Sequence, residues 1–213
     1  MKKYIFLLIL CRLASPVLAT EAKLESIRVD TGAAAVQRGA DTLMSACNSC
    51  HSLKYIRYRD LAAFGMDRNK IDGWRGVQSM DAALAGQMSD DAAIQTFGII
   101  PPDLSLMTKA REGGANYVYS YLIGYYNTPE GITRNHVFPE TKMPDVMGMS
   151  AATGQDQRTE IQVKARELVS FLAWAADPHK EERHKLGYYV IGYLLVLTTL
   201  LFFVKNQIWS RLK

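Results

Sequence analysis

Five residues constrain this chain more than any others: Cys47-Asn48-Ser49-Cys50-His51 reads C-x-x-C-H. Positions i, i+3 and i+4 share one face of a helix. Two thiols and an imidazole in that order can hold a flat cofactor from one side. The thiols reach its two vinyl groups and the imidazole points at its iron, which makes the motif the attachment signature of c-type haem. Just upstream, Val36, Ala40, Leu43, Met44 and Cys47 recur at helical spacing. They predict an amphipathic helix that runs into the motif, with Asp30 or Thr31 as its N-cap.

Three other chemistries use part of this pattern. A thioredoxin-like C-x-x-C calls for a strand-to-helix context, whereas a helix precedes the motif here. A structural zinc site needs four ligands, and apart from Cys11 near the N-terminus Cys47 and Cys50 are the only cysteines, so histidines would have to complete it. A disulfide between them would close too small a loop to stabilise much. Haem c is preferred to all three. Imidazole is a common proximal ligand of haem iron.

Both ends of the chain are apolar. Lys2 and Lys3 precede the run Tyr4 to Leu10, and Val17-Leu18-Ala19 supplies small residues where a signal peptidase cuts, so residues 1–19 read as a secretory signal peptide. Leu10 and Arg12 flank Cys11 in a way that does not suit lipidation. At the other end residues 187–204 carry no charge. As a helix they would extend about 27 Å, just enough for a hydrocarbon core of about 30 Å. Tyr188, Tyr189, Tyr193 and Trp209 stand where interfacial aromatics would. The predicted organisation is a signal peptide (1–19), a haem domain (20–179), a juxtamembrane linker (180–186), a transmembrane helix (187–204) and a cytoplasmic tail (205–213). Lys180, Arg183 and Lys185 balance Lys205, Arg211 and Lys213, so the exported N-terminus sets the orientation: the domain lies outside and the tail in the cytoplasm.

The formal charge is +4, but residues 20–179 hold 16 Lys and Arg against 19 Asp and Glu, a net −3. No basic cluster with interleaved aromatics lies there, which argues against a nucleic-acid partner. A charge-selected partner would be cationic.

Between the ends the patterns are helical. Ser89-Asp90-Asp91 caps a short helix through Phe97, and Pro101-Pro102 forces an extended segment. Asn116 to Tyr126 reads as a helix stopped by Thr128-Pro129, and Ile161, Ala165, Leu168, Leu172 and Ala175 mark another, closed by Asp177-Pro178. The fold class is mainly α: a c-type cytochrome domain whose long loops pack around one haem, plus a C-terminal transmembrane helix.

For the iron's far side the residue types leave several candidates. His179 and His184 abut the membrane segment, and His136 sits in a polar run. Met143, held between Lys142 and Pro144, can be presented rigidly by its proline-flanked loop, with Met147 and Met149 as rivals. A lone methionine is more often core filler than a ligand.

Taken together, several segments resemble the cytochrome c1 family, the haem subunit of the cytochrome bc1 complex. They are Ala46 to Tyr55 with Arg57-Tyr58, Pro101-Pro102-Asp103-Leu104-Ser105, Gly114-Ala115-Asn116-Tyr117 into Tyr121, Val137-Phe138-Pro139 with Met143-Pro144, and the terminal span. They occur in the family's order and cover most of the chain after the signal peptide. The resemblance implies one haem c bound through Cys47 and Cys50, His51 and Met143 as its axial ligands, and Arg111 with Tyr117 near a propionate. It implies a bacterial, single-pass protein of the inner membrane with its haem domain in the periplasm. Its partners would be cytochrome b, the Rieske iron-sulfur protein as donor, and cytochrome c as acceptor. Two departures stand out. The stretch from His51 to Pro101 is shorter than in mitochondrial members, and Asn135-His136 replaces the usual Asn-Pro.

Histidine and methionine together would close both axial positions and leave one-electron transfer as the chemistry, at a fairly high potential. The chain would then be an electron-carrier subunit of ubiquinol:cytochrome c reductase rather than a catalyst by itself. The alternatives are a membrane-anchored haem enzyme or a gas or peroxide sensor with an open sixth position, and a zinc-stabilised module without haem.

Overall fold

The computed structural model describes residues 23–211; the leader read in residues 1–19 lies outside them. The first helix, α1 (Ala33–Thr42), buries Val36, Gly39 and Ala40 and runs on into a wider π turn, Leu43–Cys47. There the Asn48 amide reaches back five residues to the Leu43 carbonyl at 2.9 Å. Such a turn shifts the residues after it around the helix axis, and π turns concentrate at functional sites. Neither predicted cap is used: Gly32 is the N-cap, and the Asp30 carboxylate instead accepts the Gly32 amide at 2.8 Å, turning the chain before the helix.

The motif turn leads into β1 (Leu53–Arg57), which pairs antiparallel with β2 (Ala83–Leu84). Two short helices, α2 (Tyr58–Ala63) and α3 (Arg68–Arg75), fill the connection. Helix α4 (Asp90–Phe97) begins where expected, with the Ser89 hydroxyl accepting the Ala92 amide, and ends at Gly98 in the left-handed region. After the extended prolines comes the single turn α5 (Met107–Ala110).

Helix α6 (Gly114–Ile123) begins before Asn116 and ends before the Tyr126 expected from the sequence. Tyr125–Asn127 form β3, paired antiparallel with β4 (Thr133–Asn135). The break sits at Gly124, whose carbonyl accepts the His136 amide at 2.9 Å. A Cβ there would lie 2.7 Å from the Ser120 carbonyl and 3.2 Å from the Asn135 side chain.

The longest helix of the domain, α7 (Gln155–Ala175), buries Ala165, Leu168, Val169, Phe171, Leu172 and Ala175 along one face. It packs on both α1 and α6. At the α1 crossing a Cβ on Gly39 would fall 2.0 Å from the Glu167 carbonyl, so the two backbones touch and only glycine fits. Leu43, Leu168 and Phe171, each almost wholly buried, stabilise this junction by about 1.5–3 kcal/mol apiece. The stretch before α1 is pinned across the same helices by side chains: the amides of Glu25, Ile27 and Asp30 donate to Ser120, Asn116 and Ser170 at 2.7, 2.9 and 3.0 Å.

One more helix, α8 (Lys180–Ser210), leaves the domain. Residues 180–186 are its first turns, so the segment read as a linker is continuous with the apolar span. It is the one helix among the described residues long and apolar enough to cross a membrane, and its apolar stretch is not buried in the protein. Asp177 sits at its foot and pairs with Lys109 at 2.9 Å and with Arg183.

Candidate functional site

The C-x-x-C-H turn is held from beneath by main-chain bonds. The amides of Cys50 and His51 both reach the Cys47 carbonyl, at 3.1 and 2.9 Å. The chain after β2 runs alongside, with the amides of Gln87 and Met88 bonding to the carbonyls of Asn48 and Ser49. Asn48, buried, donates its side-chain amide to the carbonyls of Ala85 and His51.

The Pro101–Ser105 block fixes the imidazole. The Pro102 carbonyl lies 2.7 Å from His51 Nδ1. A carbonyl only accepts, so Nδ1 carries the proton and Nε2 keeps a free lone pair, the form a metal ligand needs. Burial pushes the His51 pKa down, opposed by the Pro102 bond and then by Asp103, and the ring stays neutral. Asp103 in turn accepts the amides of Lys54 and Ser105 at 2.8 and 2.9 Å, and the buried Ser105 hydroxyl accepts the Tyr55 amide at 3.1 Å. Cys47 and Cys50 are free thiols. Burial, and then the neighbouring Cys50, push the Cys47 thiol up to about 11. A dithiol redox centre shows the opposite shift.

Beside the turn is a cavity of about 400 Å³, lined mostly by apolar side chains, with a smaller one of about 60 Å³ adjoining it. Cys47, His51, Ile99, Pro102, Lys142 and Met143 border both; Cys50 borders the smaller. The larger volume falls in the range of cofactor pockets. Two adjoining, largely apolar cavities bordered between them by two thiols, a neutral imidazole with its far nitrogen free and a thioether fit a c-type haem. No group of three or more His, Cys, Asp or Glu side chains that could hold a metal ion forms among the described residues, so a zinc module lacks a ligand set here.

The rival ligands lie elsewhere. Met149 is buried near β3, and neither it nor Met147 borders either of these two cavities. His136 is exposed and stacks on Tyr126 with ring centres 4.0 Å apart. His179 pairs with Glu182 at the start of α8. Arg111 and Tyr117 both line the larger cavity, as does Met107.

The Met143 loop reveals residues to which the sequence assigns no role. Asn135, fully buried, donates to the Tyr121 carbonyl at 2.8 Å and accepts the amides of Val137 and Phe138 at 2.8 and 3.1 Å, anchoring the start of the loop to the end of α6. The Tyr125 hydroxyl lies 2.9 Å from the Met143 carbonyl. Burial, and then the Tyr121 hydroxyl beside it, raise the Tyr125 pKa far above the ordinary phenol range, so the group keeps its proton. The one sequence signal for these residues is the spacing of Tyr117, Tyr121 and Tyr125 at i, i+4 and i+8.

Comparison with known proteins identifies the family. The sequence matches the Cytochrome C1 family over residues 25–90 and 73–212. It is 34% identical over 210 residues to a mitochondrial cytochrome c1 heme protein of Arabidopsis thaliana, covering 84% of this chain and 68% of that one. It is 31% identical to cytochrome c1 of Allochromatium vinosum, with 88% of each chain covered. To cytochrome c1 of Rhodospirillum rubrum it is 30% identical, over 84% of this chain and 82% of the relative. The chain therefore belongs to the cytochrome c1 family, the membrane-anchored, electron-transferring subunit of the bc1 complex that carries one covalently attached haem c.

Proposed function

We propose that Cys47 and Cys50 form the two thioether bonds, that His51 Nε2 and the Met143 thioether are the axial ligands, and that Arg111 and Tyr117 face the propionate edge. The observation that carries this reading is that Met143, Cys47 and His51 border the same two adjoining cavities, with Cys50 on the smaller of them. When bound, haem supplies a one-electron couple between ferric and ferrous iron. The residues of this chain set how that couple behaves. Pro102 keeps the His51 proton on Nδ1 and so leaves Nε2 free to bind as a more basic donor, while the apolar lining excludes water and a neutral thioether favours the less charged ferrous state, both of which raise the potential. With both His51 and Met143 holding the iron, oxygen and peroxide would find no open position, which favours an electron carrier over a haem enzyme or a gas sensor.

The donor is the Rieske iron-sulfur protein and the acceptor a cytochrome c; cytochrome b is the neighbour of α8. The family's place in the bc1 complex supports these assignments. The net −3 of residues 20–179 favours a cationic acceptor. The domain faces the periplasm and the tail the cytoplasm, a reading supported by the signal-like N-terminus.

Replacing Met143 by leucine tests the site. The ferric protein loses its sulfur-to-iron charge-transfer absorption, the ferrous protein binds carbon monoxide, and the midpoint potential falls on the order of 100 mV, within the span that axial ligands command. If the variant keeps the absorption and stays closed to carbon monoxide, another residue ligates the iron. An unaltered protein that is high-spin and binds carbon monoxide would instead identify an enzyme or sensor.

A further inference from the structure

Met143 lies in a stretch without regular structure, and among the described residues neither its amide nor its carbonyl finds a main-chain partner. Side chains take their place. The Met143 amide donates to Thr141 Oγ1 at 3.2 Å, Thr141 Oγ1 bonds the Tyr121 hydroxyl, Tyr121 lies 3.1 Å from the Tyr125 hydroxyl, and Tyr125 reaches the Met143 carbonyl at 2.9 Å. Each hydroxyl has a single proton to give, and a carbonyl can only accept. Tyr125 donates to both the Met143 carbonyl and the Tyr121 oxygen, its one proton shared between two acceptors. Tyr121 and Thr141 bond each other through a remaining hydroxyl proton, and Thr141 Oγ1 accepts the Met143 amide. Both polar groups of the Met143 backbone thus end on one connected set of three hydroxyls.

We propose that Thr141, Tyr121 and Tyr125 are positioning residues forming a closed hydrogen-bond circuit that clamps the Met143 backbone and so holds its thioether on the iron. The proposal rests on the reading of Met143 as the axial ligand. A methionine side chain has three rotatable bonds, so it cannot aim its sulfur unless the backbone beneath it is fixed. Circuits of this kind strengthen each bond by polarising the next, and breaking one member weakens the others. The rings also support one another: Tyr121 lies 6.3 Å from Tyr117 in a stacked pair and 5.8 Å from Tyr125 edge to face. Tyr126, on the next residue of β3, stacks on His136 and takes no part in the circuit.

The test uses the full-length, haem-loaded protein in membranes or detergent and measures carbon monoxide capture by the ferrous form together with the ferric sulfur-to-iron absorption. In Tyr125→Phe, Tyr121→Phe and Thr141→Val, capture accelerates about three- to tenfold, the factor that loss of one net hydrogen bond implies, and the absorption weakens. The Tyr121→Phe/Tyr125→Phe double variant captures more slowly than the product of the single effects predicts, because either change alone opens the circuit. Tyr126→Phe behaves as the unaltered protein. Should Tyr125→Phe fail to load haem, the half-buried Tyr121 and Thr141 carry the test. Unaltered capture and absorption in the single variants, beside a Met143→Leu that opens fully, would overturn the clamp and leave the ligand reading intact. Fully multiplicative effects would overturn the circuit. A Met143→Leu variant that stays closed overturns the ligand reading itself.

Discussion

On the Cys47–His51 side of the cavity the chain is held mostly by its own backbone, through the α1 helix, a π turn and the bonds from the Gln87 and Met88 amides, with the buried Asn48 side chain as an added strut within the motif. On the Met143 side, the loop is held by the side chains of Thr141, Tyr121, Tyr125 and Asn135. The first construction is rigid because many main-chain bonds form together when helices pack. The second is only as rigid as its few polar side chains, each of which a single substitution can remove. A site that must be covalently loaded yet keep one ligand of modest affinity gains from this division. On the proposed ligation, the face that would carry the thioethers inherits the stability of the core, while the face that would close the iron can be adjusted without unfolding it.

Substitutions on the two faces should accordingly differ in kind. The largest effect falls on the first. Gly39→Val would drive a side chain into the Glu167 carbonyl and the Phe171 Cβ, both under 3 Å from the position of an added Cβ. Backbone cannot yield as a side chain does, so the loss exceeds about 3 kcal/mol, the upper end of ordinary overpacking. The measurement is the yield and melting temperature of haem-loaded protein; a variant that loads and melts normally would show that α1 and α7 are not the frame of the site. On the second face, Asn135→Ala leaves the Val137 and Phe138 amides without their acceptor and costs about 1–3 kcal/mol. Haem attachment remains complete, while carbon monoxide capture by the ferrous form accelerates. Loss of covalent haem in this variant would break the proposed independence of the two faces.

The same division explains what could be read from sequence. The C-x-x-C-H turn, the stripe from Val36 to Cys47 and the apolar face of α7 are contiguous or periodic, so spacing alone reveals them. The Pro101–Ser105 block shows itself only as a resemblance; its carbonyl contact to His51 spans about fifty residues and follows no local rule. Tyr121 and Asn135 stand in recognisable surroundings, yet their roles depend on partners brought close by tertiary structure. Tyr125 and Tyr126 continue an apolar aromatic run and so resemble helix. Pairing with β4 overrides that local pattern, as aromatic residues suit a strand equally well. At α1, Asp30 has the chemistry of a cap but turns the chain one step earlier, a choice that composition does not disclose.

The smallest effect belongs to the foot of the domain, where neither face should respond. Asp177 bridges Lys109, within α5, and Arg183 in the first turns of α8. Its hydrogen bond to Lys109, followed by the pull of Arg183, holds its pKa below the ordinary carboxylate range. A carboxyl with a depressed folded pKa binds protons more readily when unfolded, so its contribution is fully present above the ordinary value of about 3.9 and fades as pH falls through the folded value. Asp177→Asn should therefore lower the melting temperature slightly at neutral pH. The gap to the unaltered protein should narrow as the solution becomes more acidic than pH 4, and it should also shrink with added salt, because both cations are exposed. The sulfur-to-iron absorption and closure to carbon monoxide stay unchanged throughout. A melting gap that persists into strong acid would mean that Asp177 acts through packing, and a shift in the absorption would mean that the anchor and the Met143 face are mechanically joined.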